Sequence, residues 1–147
     1  MSGLINRKQR RLKGFSLIEV ILSIALFSLI ITVFAGAIIY GQENSLLAGK
    51  RARAVFIAVE GLEAVRNIRD SDFSMLADGN YGLAIDNGQW VLTDKPDLSD
   101  IFTRNITITG IDDKLKHITS NVQWMQNLQR DGNISLETYL GDWKPSP

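Results

Sequence analysis

The chain contains no cysteine. Disulfide scaffolds and thiolate chemistry are therefore excluded, and the redox compartment leaves no mark on the composition. Only three prolines are present, all beyond residue 95, so no proline interrupts the first part of the sequence. There is a single histidine, His117, with no partner near it in sequence, and it reads as a surface residue at a strand start. Serine and aspartate are plentiful but no nucleophile motif surrounds them, so no catalytic constellation is found and an enzyme is not expected. No acid precedes Gly14, and between Phe15 and Tyr40 the only charged residue is Glu19. The formal net charge is zero, yet it is unevenly spread. Five of the 16 basic residues lie before Gly14, and Phe15 onward holds 11 basic against 16 acidic residues, a net of −5. An acidic body disfavours nucleic acid, whose binding rests on neutralising phosphates.

What the chain does have is one long apolar run. Phe15–Tyr40 covers 26 residues, about 39 Å as a helix at 1.5 Å per residue, enough to span a bilayer with some tilt. Arg7, Lys8, Arg10, Arg11 and Lys13 just before it hold the N-terminus on the cytoplasmic side and place the body outside. Roughly a hundred residues remain for one modest core. Three readings compete. Ala35-Gly36-Ala37 is a passable signal-peptide cleavage site, but the apolar stretch before it is long and contains Glu19. A plain single-span anchor, carrying a monomeric extracytoplasmic binding or sensor module, explains the length and the charges but gives Glu19 no role. A carboxylate in hydrocarbon costs roughly 2.5–3.5 kcal/mol at mid-span, less near an interface, and so asks for a partner.

The third reading uses the whole string Lys13-Gly14-Phe15-Ser16-Leu17-Ile18-Glu19-Val20. A short basic leader ending in glycine, then Phe-Ser-Leu-Ile-Glu-Val, then an unbroken apolar helix resembles the type IV prepilins, precursors of pilins and of type II secretion pseudopilins. The resemblance implies that a prepilin peptidase cuts between Gly14 and Phe15 and N-methylates Phe15. It also implies a subunit of a filament, held by an inner-membrane assembly platform and by other pilin or pseudopilin subunits through the N-terminal helix. Gly14 alone fits a flexible joint equally well; without a side chain it also lets a protease approach the backbone. The leader has a physical reason to leave, since its five charges could not be buried in a dry filament core.

The cut creates an α-amine of ordinary pKa about 7.7–8.0, mostly cationic at neutral pH. Glu19 then stands in the first turn of the new helix, where the macrodipole favours an anion. Opposite charges about 4 Å apart gain on the order of 4 kcal/mol at an effective dielectric of about 20. The pair can form within one chain, four residues apart, or between Glu19 of one subunit and the Phe15 amine of its neighbour. The resemblance implies the second; the residues alone leave both open. Ser23, Ser28 and Thr32 can bond back to helical carbonyls. Gly36 and Gly41 are weak points. Many pilins carry a helix-breaking proline near the place of Gly36, and this chain does not.

Gln42 to about Asp70 reads as a continuing amphipathic helix with Ala48, Ala52, Val55, Val59, Leu62 and Val65 as its core stripe. Glu60 and Glu63 then read as surface ion-pair partners near Arg66 and Arg69. The stretch Glu60–Asp70 also resembles the matching helix of minor pilins and of I-subunit-like minor pseudopilins. Beyond it, Asp78-Gly79-Asn80 reads as a turn, and Tyr81–Ile85 and Gln89–Thr93 as a hairpin about Asp86-Asn87-Gly88. A loop through Lys95-Pro96-Asp97 follows. Phe102–Thr109, Ile118–Met125 and Ile134–Leu140 read as strands, with turns at Gly110–Lys116 and Arg130–Asn133. Asp94, Asp97 and Asp100 could offer calcium oxygen ligands, but the EF-hand spacing is absent and no metal or cofactor is expected. Trp90, Trp124 and Trp143 read as core or sheet-face packing. The expected fold is α+β, a long N-terminal helix packed on a small antiparallel sheet, as in type IV pilins. Its expected divisions are a leader at 1–14, an assembly helix at 15–40, its amphipathic continuation at 41–72 and a sheet body at 73–147.

Overall fold

The computed structural model describes residues 14–127 and 130–143. The basic residues read as a leader, Arg7 to Lys13, lie outside the described residues. Internal contacts divide the chain into a unit ending at Glu43 and a unit beginning at Asn44. One helix, α1, runs Leu17–Ser71 and contributes to both, continuing through Gly36 and Gly41. In the second unit α1 gives way to a short 3₁₀ turn at Phe73–Met75, capped by the Asp72 side chain on the Ser74 N–H at 2.9 Å. Six strands follow: β1 Gly79–Asp86, β2 Gln89–Thr93, β3 Asp97–Ser99, β4 Phe102–Asp112, β5 Leu115–Asn127 and β6 Arg130–Gly141. They form one antiparallel sheet in the order β2-β1-β4-β5-β6, with β3 on β4. The unit is thus a helix packed on an antiparallel sheet.

The Asn-Gly hairpin forms where its chemistry places it. Asn87 and Gly88 take φ of 48° and 80°, the left-handed pair that a two-residue hairpin turn requires and that glycine adopts without strain. Other boundaries differ from the sequence reading. Gly79 and Asn80 are already in β1, paired with Ile108 and Thr107, so no turn stands there. The Pro96 loop ends sooner than read, because Asp97–Ser99 pairs with Arg104–Phe102 as β3. Between β4 and β5 the turn shrinks to Asp113-Lys114, since Gly110 pairs with Lys116. The Lys116 ammonium lies 2.7 Å from the Asp78 carboxylate. That bond, and then a backbone N–H from Gly110, hold the Asp78 carboxyl below its usual range. The pair therefore favours the fold at neutral pH and is lost only as the pH falls below the ordinary carboxylate range.

Arg130–Asn133, read as a turn, is instead the start of β6, and Gly132 pairs with Trp124. The glycine serves packing there: a Cβ on Gly132 would collide with the Trp124 ring. Trp124 is 5% exposed and packs against Phe102 in a tilted pair, the ring centroids 5.8 Å apart. Gly132→Ala is accordingly expected to destabilise the fold by about 1–3 kcal/mol, the usual cost of overpacking a filled site. Denaturant unfolding of the full chain in detergent, followed by tryptophan fluorescence, measures it. An unchanged midpoint would refute this account of the glycine.

The core lies between α1 and the sheet. The buried helix face is Ala54, Ile57, Ala58, Gly61, Leu62, Ala64, Val65 and Ile68. Of the stripe read from sequence only Leu62 and Val65 are on it; Ala48, Ala52 and Val59 are exposed and Val55 is half-buried. Small residues (Ala54, Ala58, Gly61, Ala64) alternate on this face with Ile57, Leu62, Val65 and Ile68, and they let the helix approach the sheet closely. At Gly61 a Cβ would meet Ser120 Oγ at 2.7 Å and Arg104 Cδ at 3.0 Å. Phe102, Val122 and Trp124 pack around Ala54 and Ala58, while Leu76, Leu83, Ile106, Ile108, Ile118 and Leu140 pack around Leu62 and Val65. Each large aliphatic or aromatic side chain so buried contributes on the order of 1.5–3 kcal/mol before entropy.

Candidate functional site

The first unit is built to be covered by something else. No residue from Phe15 to Tyr40 is buried; Phe15 is 83% exposed and the apolar residues face all directions around α1. A helix apolar all round belongs in lipid or in a protein interior. By length and composition α1 can cross a membrane. Its hydroxyl groups at Ser23, Ser28 and Thr32 are already satisfied for that environment. The hydroxyls of Ser23, Ser28 and Thr32 donate to the carbonyls of Glu19, Ile24 and Ser28 at 2.7, 2.8 and 2.9 Å. Hydrocarbon offers backbone and hydroxyl groups no other partner.

Gly14, Phe15 and Ser16 precede the helix as exposed, non-helical chain. The Ser16 carbonyl accepts from the Glu19 and Val20 N–H groups at 3.0 and 3.2 Å, which starts the helix. Glu19 is the acid in its first turn, exposed and without a side-chain partner among the described residues. The three residues read as cleavage, methylation and assembly sites therefore lie together at one helix entry. There the N-terminal dipole and an accessible backbone coincide.

The second unit gathers its charges elsewhere. Arg104 takes an inward position on β4 and is 4% exposed. Its guanidinium donates to Asp97 Oδ2 at 2.7 and 3.1 Å, to the Ile57 carbonyl at 2.9 Å and to Glu60 Oε2 at 3.2 Å. Asp97 Oδ1 in turn accepts the Leu83 N–H at 3.2 Å. Asp100 pairs with Arg53 at 2.9 Å. Two of the three loop aspartates thus face arginines, and no metal-holding group of carboxylates and histidine occurs among the described residues. Glu63 pairs with Arg66, whereas Glu60 looks to the sheet. His117 lies 3.1 Å from Glu137 and against the Tyr139 ring at 4.9 Å. Trp124 is core, Trp90 half-buried at its margin, and Trp143 exposed with its N–H on Asp70 at 3.1 Å. Sequence reasoning missed Arg104. The inward alternation Phe102, Arg104, Ile106, Ile108 carried the signal.

A long N-terminal apolar helix leading into an α+β body of six antiparallel strands is a type IV pilin-like architecture. The family model described as the prokaryotic N-terminal methylation motif matches residues 9–35, and this motif marks type IV prepilins and pseudopilins. No curated protein and no solved structure matches the chain.

Proposed function

We propose that the chain is a non-enzymatic filament subunit, a minor pilin or pseudopilin of a type IV pilus or of a type II secretion filament. The observation that carries this reading is the overlap of the methylation motif, residues 9–35, with the part of α1 up to Tyr40 that is apolar and exposed on all sides. Prepilin peptidase cuts between Gly14 and Phe15 on the cytoplasmic side and methylates the Phe15 amine. The segment 15–40 first holds the subunit as a single span in the inner membrane, with the body outside. It then enters the filament core, where Glu19 meets the Phe15 amine of a neighbour. Residues 41–72 and 73–147 carry the body that the filament displays, and the assembly platform moves the subunit between the two states.

Mass spectrometry of the mature N-terminus tests this. The expected species begins at Phe15 and is heavier by one methyl group. A chain retaining Met1, or one starting at Ile38 after a signal-peptidase cut, would sink the reading and favour a monomeric anchored module.

A further inference from the structure

We propose that Asn87 is a self-modifying site: it loses its side-chain amide to attack by the backbone nitrogen of Gly88, and the β1–β2 hairpin is altered irreversibly. The inference does not rest on the filament reading. Of the chain's asparagines only Asn87 is followed by glycine. The others precede residues with a Cβ, which crowds the attacking nitrogen. The fold adds what the reaction needs. Asp86 to Gln89 are all exposed, and the Asn87 side chain has no partner among the described residues. Gly88 lies between the paired residues Asp86 and Gln89, outside the ladder, with open space where a Cβ would stand. Two further pairs, Asp78-Gly79 and Asp131-Gly132, can form the same ring in an unfolded chain. The fold disarms both. Lys116 keeps the Asp78 carboxyl ionised, and a carboxylate resists attack by an amide nitrogen. Gly132 is fixed in β6 against the Trp124 ring.

The step needs only water and hydroxide. The Gly88 nitrogen gives up its proton to hydroxide and bonds to Asn87 Cγ. The Cγ–Nδ2 bond breaks, and Nδ2 leaves as ammonia. The product is a five-membered succinimide. Water then opens one of its two carbonyls. One opening leaves aspartate at position 87. The other leaves isoaspartate, in which the main chain runs through the former side chain and is one atom longer. The hairpin sets the rate. Ring closure turns the backbone at Asn87 away from the left-handed pair with φ of 48° and 80°, and the Asp86↔Gln89 pair opposes that rotation. The reaction therefore passes through local opening of the tip. The hairpin also feels the product. A two-residue turn has no room for an extra backbone atom, and either product sets a second carboxylate beside Asp86. The pairs Asp86↔Gln89 and Ile85↔Trp90 are the first to be lost, and Trp90 leaves its place against the core.

The test keeps the full chain in detergent at mildly alkaline pH, with a parallel sample in denaturant. Peptides are followed by mass spectrometry, with fragmentation that separates isoaspartate from aspartate. In the folded chain Asn87 is expected to convert to both products, at a rate that rises with hydroxide concentration and is at least fivefold below that in denaturant. The other asparagines are expected to lag at least tenfold, and Asp78 and Asp131 to yield no isoaspartate while the chain is folded. Asn87→Gly is the control, since Gly-Gly takes the same left-handed turn and has no amide to lose. Tryptophan fluorescence of the wild type is expected to drift in step with conversion, and that of Asn87→Gly to stay constant. An Asn87 that stays intact in the folded chain over a hundred half-lives of the denatured sample would overturn the site. Equal rates in the two samples would overturn the control by the hairpin. Equal drift in Asn87→Gly and wild type would overturn the structural consequence.

Discussion

Glu19→Ala is expected to leave the cut after Gly14 in place and to lower incorporation into filaments by about ten- to a hundredfold. The cut chemistry needs an accessible backbone at Gly14 and Phe15, which the substitution does not touch. What it removes is an acid in the first turn of α1 and with it the proposed ion pair to a neighbour's Phe15 amine, on the order of 4 kcal/mol at an effective dielectric of about 20. Part of that is offset, because the variant no longer carries a carboxylate into hydrocarbon at a cost of roughly 2.5–3.5 kcal/mol at mid-span, less near the interface where Glu19 enters. With that cost lowered near the interface to about 1.2–2.6 kcal/mol, about 1.4–2.8 kcal/mol remains, which corresponds to the stated range of occupancy. Glu19→Gln, similar in shape but uncharged, is expected to behave as Ala does. The measurement is the ratio of mature subunit in sheared filaments to that in membranes. Equal ratios for wild type and both variants would remove the electrostatic account.

Arg104→Met is expected to destabilise the body by about 2–4 kcal/mol, since removing one partner of a buried pair strands the other. Methionine keeps much of the apolar stem and loses the fork. Asp97, with a side chain 19% exposed, then keeps only the Leu83 N–H, and the Ile57 carbonyl loses a donor. Glu60, 56% exposed, returns to water at small cost. For a body of roughly a hundred residues the shift is about 10–20 °C in unfolding temperature, read by circular dichroism of the detergent-extracted chain. In Arg104→Met/Asp97→Asn the two losses are expected to be less than additive, since both substitutions break the same contact. A change below about 0.5 kcal/mol in the single variant would show that the network carries no weight.

The residues that announced themselves in the sequence are those with one physical job. Asn87-Gly88 needs left-handed backbone, and nothing else in that hairpin competes. Phe15–Tyr40 with its lone acid leaves few alternatives to an apolar surrounding. The misread positions are those where a residue type has two uses. Gly132 beside Asp131 looks like a turn signal, yet here the glycine makes room for an indole. The helix stripe was read by apolar weight, whereas contact with the sheet is set by shortness at Ala54, Ala58 and Gly61, and Phe56 is left 74% exposed. Arg104 sits in an apolar alternation because three acceptors from two separate segments, Ile57 and Glu60 on α1 and Asp97 on β3, converge on it. No local pattern records that long-range convergence.

The joint between helix and sheet has a mechanical side. Along most of its length it is made of alanine, glycine and aliphatic surface, which resists being pulled apart but has little preference for one sliding position over the next. Arg104 is different, because its fork is fixed at once to a helical carbonyl and to a strand carboxylate. A filament under tension would load this joint in shear, along the helix axis. In that direction the guanidinium acts as a detent: Asp97 holds it to the sheet, and the body cannot slip by one turn of the helix without breaking its bonds to the Ile57 carbonyl and to Glu60 together.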